Sequence, residues 1–316
     1  MAKPDLPAPN SHLPILIAGP TAVGKSQIAL QLAGQLGGEI ISTDSMQVYR
    51  GLDIGTAKPS PAERARVPHH LIDICDLNES FDAAQFARLA HCAVAEIQSR
   101  GRVPILCGGT GLYFKAFLEG LGETPPADPK LRAELEATPL EKLLAELRER
   151  DPVTFEKIDK MNPRRVIRAV EVIRLTGKRF SEQRAGWKSD STIHDSRFTT
   201  HLYCFMRQPA DLHTRINARV DAMFARGLVD ETRELIKRGL AENKTAMQAI
   251  GYRQVEEHLR GERSLPETIE LVKIRTRQFA KRQLTWFRAR KNLEWIDLKP
   301  DESLENPANF FAGRTA

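Results

Sequence analysis

Short apolar runs alternating with stretches of helical periodicity organise the first part of the chain. Ile15-Leu16-Ile17-Ala18 is apolar without interruption, as expected of a strand covered on both faces, and Gln27 to Leu36 behind it carries the spacing of an amphipathic helix. Glu39 to Thr43 reads as a second strand and Leu71 to Ile74 as a third. Ser80 is placed to cap a helix with Asp82 in its first turn, and Arg100-Gly101 suits its left-handed close. Val103 to Cys107 predicts the next strand, Leu112 to Leu118 a helix, and Thr199 to Met206 a further strand. Strand and helix in regular alternation predict an α/β fold with a parallel sheet and helices on both faces.

One segment breaks this rhythm. Thr124-Pro125-Pro126-Ala127-Asp128-Pro129 interrupts the pattern, and the chain from there to about Thr176 is charged and helix-periodic with no strand signal. We read residues 123–198 as an all-helical insertion into a core formed by 14–122 and 199–316. Residues 1–13, with Pro4, Pro7 and Pro9 and no apolar run, read as a frayed tail.

The strand-helix junction at the start carries the strongest chemical signal. Gly19-Pro20-Thr21-Ala22-Val23-Gly24-Lys25-Ser26 is a complete phosphate-binding loop lying between a strand and a helix. Gly19 and Gly24 let backbone N–H groups turn inward around phosphate oxygens, the helix N-terminus adds its dipole, and Lys25 adds a point charge. Ser26 can hold Mg²⁺. The motif leaves open whether the phosphates belong to ATP or to another diphosphate.

The composition of the 316-residue chain, 41% hydrophobic, permits one large core and one smaller unit. Cys75, Cys92, Cys107 and Cys204 lack metal-ligand spacing and read as buried thiols of a cytoplasmic protein, while His69-His70 is the only histidine pair, so no structural metal is expected. No segment has the length of a membrane span. The net charge of +6 points to a polyanionic partner, and its distribution is more telling than its size. Between Leu271 and Leu293 stand Lys273, Arg275, Arg277, Lys281, Arg282, Arg288, Arg290 and Lys291 with no acidic residue among them. Lys273, Arg277 and Lys281 recur every fourth residue as one cationic stripe, with Phe279 and Trp286 able to pack beneath it. Arg164, Arg165 and Arg168 form a second cluster on a helix whose apolar side is Val166, Val170 and Ile173. Both clusters favour phosphate binding over a merely solvated face.

Two further features fall at strand ends, where open α/β sheets place their ligands. Asp44 follows the second strand and can ligate Mg²⁺, bind a substrate hydroxyl, act as a general base, or simply cap the turn Ser45-Met46-Gln47. Gly108-Gly109-Thr110-Gly111 follows a later strand, and its glycines permit a substrate to approach the backbone, with the Thr110 hydroxyl as a donor. An ATP hydrolase should have an apolar strand ending in Asp to hold the metal. Here Pro104-Ile105-Leu106-Cys107 ends in Gly108, and Leu71-Ile72-Asp73 is only a partial substitute.

From Pro14 to Trp295 the chain resembles the bacterial tRNA dimethylallyltransferases, also called tRNA isopentenyltransferases. The resemblance rests on Gly19 to Ser26, Asp44 to Tyr49, Asp53-Ile54-Gly55-Thr56-Ala57-Lys58-Pro59, Gly108 to Tyr113, Ala249-Ile250-Gly251-Tyr252, and Thr276 to Trp286. It implies a phosphate-loop NTPase-like fold and transfer of a dimethylallyl group from dimethylallyl diphosphate to N6 of the adenosine just 3′ of a tRNA anticodon. It further implies Mg²⁺, a tRNA anticodon stem-loop as partner, no membrane, and a monomer. By similarity Asp44 is the base and Thr110 contacts the nucleotide or the diphosphate. Contacts to tRNA fall on Asp44, Ser45, Met46, Gln47, Thr110, Arg132, Arg164, Arg165, Val166, Ile167 and Arg168. Others fall on Gln248, Ala249, Ile250, Gly251, Tyr252, Arg253, Lys281 and Arg282. Asn162-Pro163 departs from the Asp-Pro usual before the arginine-rich helix, and Asn should cap that helix as well. Two other classes compete with this one. A nucleotide kinase would use the arginine helix as a lid over ATP, and a noncatalytic nucleic-acid-binding protein would use the loop as a switch. A related class that prenylates free adenine nucleotides shares the loop and the base.

Overall fold

The computed structural model describes residues 13–121, 125–185, 202–290, 293–299 and 307. The expected tail up to residue 12, Thr124 and Lys291 lie outside these. The chain divides into two compact units, Met1–Phe117 with Phe198–Ala316, and Leu118–Arg197.

The first unit is built on strands β1 (Ile15–Ala18), β2 (Glu39–Thr43), β3 (His69–His70), β4 (Pro104–Gly108), β5 (Leu202–Met206) and β6 (Glu294–Asp297). All pairings are parallel, in the order β3-β2-β4-β1-β5-β6. β1 and β2 are buried along their whole length because helices cover both faces, which is why their sequences run apolar instead of alternating. Helix α1 (Lys25–Leu36) packs Ile28, Ala29, Leu32 and Ala33 against Ile17, Ile105 and Phe205 of the sheet. Burying each large aliphatic or aromatic side chain there contributes roughly 1.5–3 kcal/mol. From β1 the chain moves outward to β2 and β3, returns to β4 beside β1, and then continues on β1's other side to β5 and β6. Order therefore reverses around β1, and in a parallel sheet every loop after a strand's carboxyl end opens on the same edge. Gly19, Asp44, Gly109 and Arg207 all stand there.

Three sequence expectations shift locally. The third strand is His69–His70, not Leu71 to Ile74: Leu71 and Asp73 adopt left-handed backbone, with φ of 61° and 56°. Leu71 and Ile72 are apolar because they are buried in a loop. Its backbone donates from Asp73 to Gln47 O and from Ile74 and Cys75 to Val48 O. Helix α2 (Pro61–Arg66) precedes β3, and α3 (Ala83–Ser99) follows it. Asp82, not Ser80, caps α3, because it accepts from both Ala84 N and Gln85 N while Gln85 reaches back to its own amide. Of the four cysteines Cys92, on α3, is exposed, which corrects the expectation that all are buried. His69 Nδ1 meets Val67 O at 2.7 Å, and His70 Nε2 meets the buried Glu39 carboxylate at 2.6 Å. Helix α4 (Gly111–Glu119) follows β4.

The second unit holds α5 (Pro129–Ala137), α6 (Leu140–Arg150), α7 (Pro152–Lys157), α8 (Pro163–Thr176) and α9 (Phe180–Ala185). Its core joins Leu135, Leu143 and Leu147 to Val166, Ala169, Val170 and Ile173, the apolar stripe of α8. Asn162 caps α8 through Arg165 N at 3.3 Å, as expected of this substitution.

Back in the first unit, α10 (Pro209–Ala225), α11 (Leu228–Lys237), α12 (Tyr252–Leu259) and α13 (Leu265–Arg288) complete the described helices longer than one turn. The capping box of Ser264 and Glu267 starts the 24-residue α13.

Candidate active site

The phosphate loop joins β1 to α1. Gly19 has φ of 144° and leaves no room for a Cβ, which would meet Phe205 O at 2.5 Å, and Gly24 enters α1 with φ of 112°. Two loop carbonyls are bound by guanidinium groups: Arg207 Nε donates to Val23 O at 2.9 Å and Arg215 Nε to Ala22 O at 3.0 Å. In a trans peptide the N–H points opposite its C=O, so the amides of Val23 and Gly24 face away from these arginines. Pro20 has no N–H, and Thr21 donates its own to Gln283 Oε1 at 2.8 Å. The donors left for a phosphate are the amides from Ala22 to Ser26, the last two belonging to the open first turn of α1.

Beside the loop lies an open cavity of about 400 Å³ lined by Ala22, Gly24, Lys25, Ser26, Arg215 and Arg219, among others. Arg215 and Arg219, four residues apart on α10, share one helix face. Together with Lys25 they gather three cations around one space. Burial lowers the pKa of both Lys25 and Arg219, while the Asp44 carboxylate nearby opposes the shift in each. Lys25 Nζ donates to Pro20 O at 2.9 Å. Cys107 and Cys204 remain neutral thiols, their pKa values pushed up by burial to about 11 and about 12.

Of the sequence readings of Asp44, the turn cap is present. Its Oδ1 accepts from Met46 N at 2.8 Å and Gln47 N at 3.3 Å, so the carboxylate does cap the turn. The same bonds fix its orientation at the end of β2 and leave Oδ2 for another partner. Ser45 N donates to Thr110 Oγ1 at 3.2 Å and Thr110 N to Thr43 O at 3.3 Å, which ties the Thr110 loop to the Asp44 turn. Gln47 is held on both sides, accepting from Ser42 Oγ and donating to Thr56 O.

The glycines from Gly108 to Gly111 admit close packing within the protein. A Cβ on Gly108 would strike Thr43 O, on Gly109 the Gln283 side chain, and on Gly111 the Trp286 ring. Gly111→Ala is expected to destabilise the fold by about 1–3 kcal/mol through overpacking against Trp286. Thermal unfolding checks this, and an unchanged midpoint would mean the ring is free to move.

The motif from Asp53 to Lys58 also acquires physical roles. Lys58 is almost completely buried, donating to Tyr49 O at 2.6 Å, Asp53 at 2.9 Å and Asp73 at 2.5 Å. Asp73 further pairs with Arg64 at 2.7 Å, so its carboxylate anchors a loop and is not the metal-holding acid of an ATP hydrolase. Glu231 accepts from Ile54 N at 2.9 Å and from the Tyr252 hydroxyl at 2.6 Å, clamping the same loop to α11 and α12.

The residues that resemblance assigned to tRNA separate by exposure. Lys281, Arg282, Gln248, Arg253, Arg164 and Arg165 are exposed; Arg253 pairs with Glu257 at 3.1 Å. Val166, Ala249 and Tyr252 are buried and their side chains serve the core, while Gly251 is buried with them and Ile167 packs against the core of the second unit. Ile250, Ser45 and Met46 are half-buried. Arg132 and Arg168 both bind Glu171, a buried carboxylate one turn further along α8 that needs cationic partners, and Arg168 also donates to Pro125 O at 2.6 Å. Arg168 of the α8 cluster is thus paired within the protein. Likewise the stripe on α13 is not unpaired: Lys273 binds Asp221 at 2.8 Å and Glu270 at 2.9 Å, and Arg277 binds Asn217 at 2.6 Å. Acidic partners absent from the local sequence arrive from α10 and from one turn upstream.

A parallel α/β sheet with a phosphate loop after β1 and an aspartate turn after β2 defines a phosphate-loop protein whose neighbouring strand β4 ends in Gly108, with no carboxylate there. The family model described as IPP transferase matches residues 47–290, and the chain belongs to that family. A tRNA dimethylallyltransferase of Trichlorobacter lovleyi is 46% identical over 304 residues, spanning 94% of this chain and 98% of its own. Among solved structures, a tRNA isopentenylpyrophosphate transferase from Bacillus halodurans is 41% identical with TM-score 0.69, covering 96% of each chain. A eukaryotic dimethylallyltransferase, solved as it acts on tRNA, is 30% identical with TM-score 0.77, covering 95% of this chain and 77% of its own.

Proposed function

We propose that this protein transfers the dimethylallyl group of dimethylallyl diphosphate to N6 of the adenosine just 3′ of a tRNA anticodon and releases diphosphate. The observation that carries this reading is the pairing of two chemistries on one sheet edge. Loop amides with Lys25, beside a cavity lined by Arg215 and Arg219, suit a departing polyanion, and a fixed carboxylate at Asp44 suits proton removal. Adenine N6 is a poor nucleophile because its lone pair is delocalised into the ring. Asp44 Oδ2 takes the N6 proton as the N–C bond forms, while the C–O bond to diphosphate breaks and its electron pair leaves on the diphosphate oxygen. Thr110, bound to the turn of Asp44, positions the adenine or the diphosphate. The exposed Ser26 hydroxyl is a neutral oxygen donor at the first turn of α1, and with diphosphate oxygens and water it fits the hard, oxygen-seeking Mg²⁺. Mg²⁺ held there would neutralise charge on the leaving group.

The target adenine must leave its stack to reach Asp44, so the tRNA backbone needs a grip elsewhere. Exposed Lys281 and Arg282 on α13 supply cations for the anticodon stem-loop. Among the described residues no helix is long and apolar enough to cross a membrane. A monomer acting in the cytoplasm is the form we propose. Lys281→Ala should weaken tRNA binding and reduce the salt slope of log Kd by about one phosphate contact, read by binding titrations across salt. An unchanged slope would remove Lys281 from the RNA surface.

Incubating the protein with dimethylallyl diphosphate, Mg²⁺ and unmodified tRNA, and in parallel with AMP, tests the assignment through the nucleoside mass. Dimethylallyl-adenosine recovered from tRNA supports it. Adduct on AMP alone, or on neither, overturns it.

A further inference from the structure

Gln283 lies in the C-terminal part of α13, five residues before its end, nearly buried, on the helix face turned to the sheet edge. Its amide makes two bonds to two different loops. Oε1 accepts the Thr21 N–H of the phosphate loop at 2.8 Å, and Nε2 donates to Gly109 O at 3.0 Å in the loop that carries Thr110. A Cβ on Gly109 would collide with Gln283 Nε2, so glycine at 109 is what admits the amide. Thr110 in turn accepts the Ser45 N–H beside Asp44. One side-chain amide therefore stands between the loop that would hold the diphosphate and the turn that holds the carboxylate.

We propose that Gln283 is a positioning residue for the transfer reaction, setting the separation between the diphosphate cradle and the Asp44 turn by bridging Thr21 and Gly109. This rests on the transferase reading above. An in-line displacement needs nucleophile and leaving group held at once in near-attack geometry, and misplacement by about 1 Å is enough to cost a large factor in rate. The amide suits this site because the two partners require one acceptor and one donor, a pair that an ionised carboxylate or an apolar side chain does not offer. Trp286, one turn further along the same face, packs on Gly111 and helps to seat α13 against the same loop. Lys281 and Arg282 project from exposed positions of that helix, so the element offered to RNA also carries the bridge.

The test compares Gln283→Leu and Gln283→Glu with the wild-type chain in kcat, in KM for dimethylallyl diphosphate, in Kd for tRNA, and in thermal unfolding. Gln283→Leu removes both bonds and should lower kcat by about tenfold or more with tRNA Kd changed less than about twofold. Gln283→Glu keeps the size of the side chain, so it decides the matter if the leucine variant does not fold. As a carboxylate it accepts from Thr21 but repels Gly109 O; protonated, it offers a donor and an acceptor again. Its kcat relative to wild type should consequently recover as pH is lowered, a response that a loss of packing alone does not give. Folded variants with wild-type kcat, or a Gln283→Glu deficit independent of pH, would overturn the bridge. A wild-type chain that fails to prenylate tRNA would instead overturn the transferase reading on which it rests.

Discussion

Replacing Asp44 by asparagine is expected to lower kcat by about 10²–10⁴-fold while leaving tRNA affinity within about twofold, the range typical of removing a general base. Asparagine is a sharper test than alanine because Asp44 has two jobs. Its Oδ1 holds the amides of Met46 and Gln47, and an asparagine carbonyl keeps both bonds. What disappears is only the ability of the second oxygen to take a proton. Asp44→Ala removes the cap as well, so a loss seen in alanine but not in asparagine would trace to a collapsed turn. Single-turnover rates and filter-binding measurements on the same preparations separate these outcomes. Near-wild-type turnover in Asp44→Asn would remove Asp44 from the base role.

Lys25→Met is expected to lower kcat/KM for dimethylallyl diphosphate by about 10²–10³-fold, as for the loss of one preorganised charge at a developing anion. Methionine keeps much of the side chain's length and removes the charge, and the tRNA surface on α13 is untouched. A pH dependence follows from the same residue. Burial lowers the Lys25 pKa, so its ammonium deprotonates at lower pH than an ordinary lysine. A bound diphosphate favours the charged form and binding is then linked to proton uptake. Affinity for inorganic diphosphate should therefore fall as pH rises through the alkaline range, and Lys25→Met should lose that decline. Calorimetric titration of diphosphate at several pH values checks both, and an identical slope in the two proteins would assign the dependence to another group.

How far the sequence reveals this site depends on whether the signal is local. β1, β2 and the phosphate loop are legible because an apolar run, two glycines, a lysine and a helix lie within about twenty residues. The third strand is misplaced because Leu71 and Ile72 are apolar for a different reason, burial in a loop with left-handed turns at Leu71 and Asp73. Glycines 108, 109 and 111 announce close approach, but what approaches is Thr43, Gln283 and Trp286, two of them some 170 residues away in sequence. The sequence reading does not single out Arg219, and it includes Gln283 only as one position of the Thr276 to Trp286 segment, since a single arginine or glutamine on an amphipathic helix looks like surface until the fold sets it against the loop. For Arg219 the pair Arg215 and Arg219 at helical spacing was the available hint. The pairing of Lys273 and Arg277 was hidden in the same way, their partners lying on α10.

A diphosphate balance on a single turnover tests the central claim most directly. With enzyme in excess over tRNA and no ATP present, one inorganic diphosphate should be released for each dimethylallyl-adenosine formed, at the same rate. Rapid hydrolysis of ATP by the purified protein, with no response to dimethylallyl diphosphate, would contradict it.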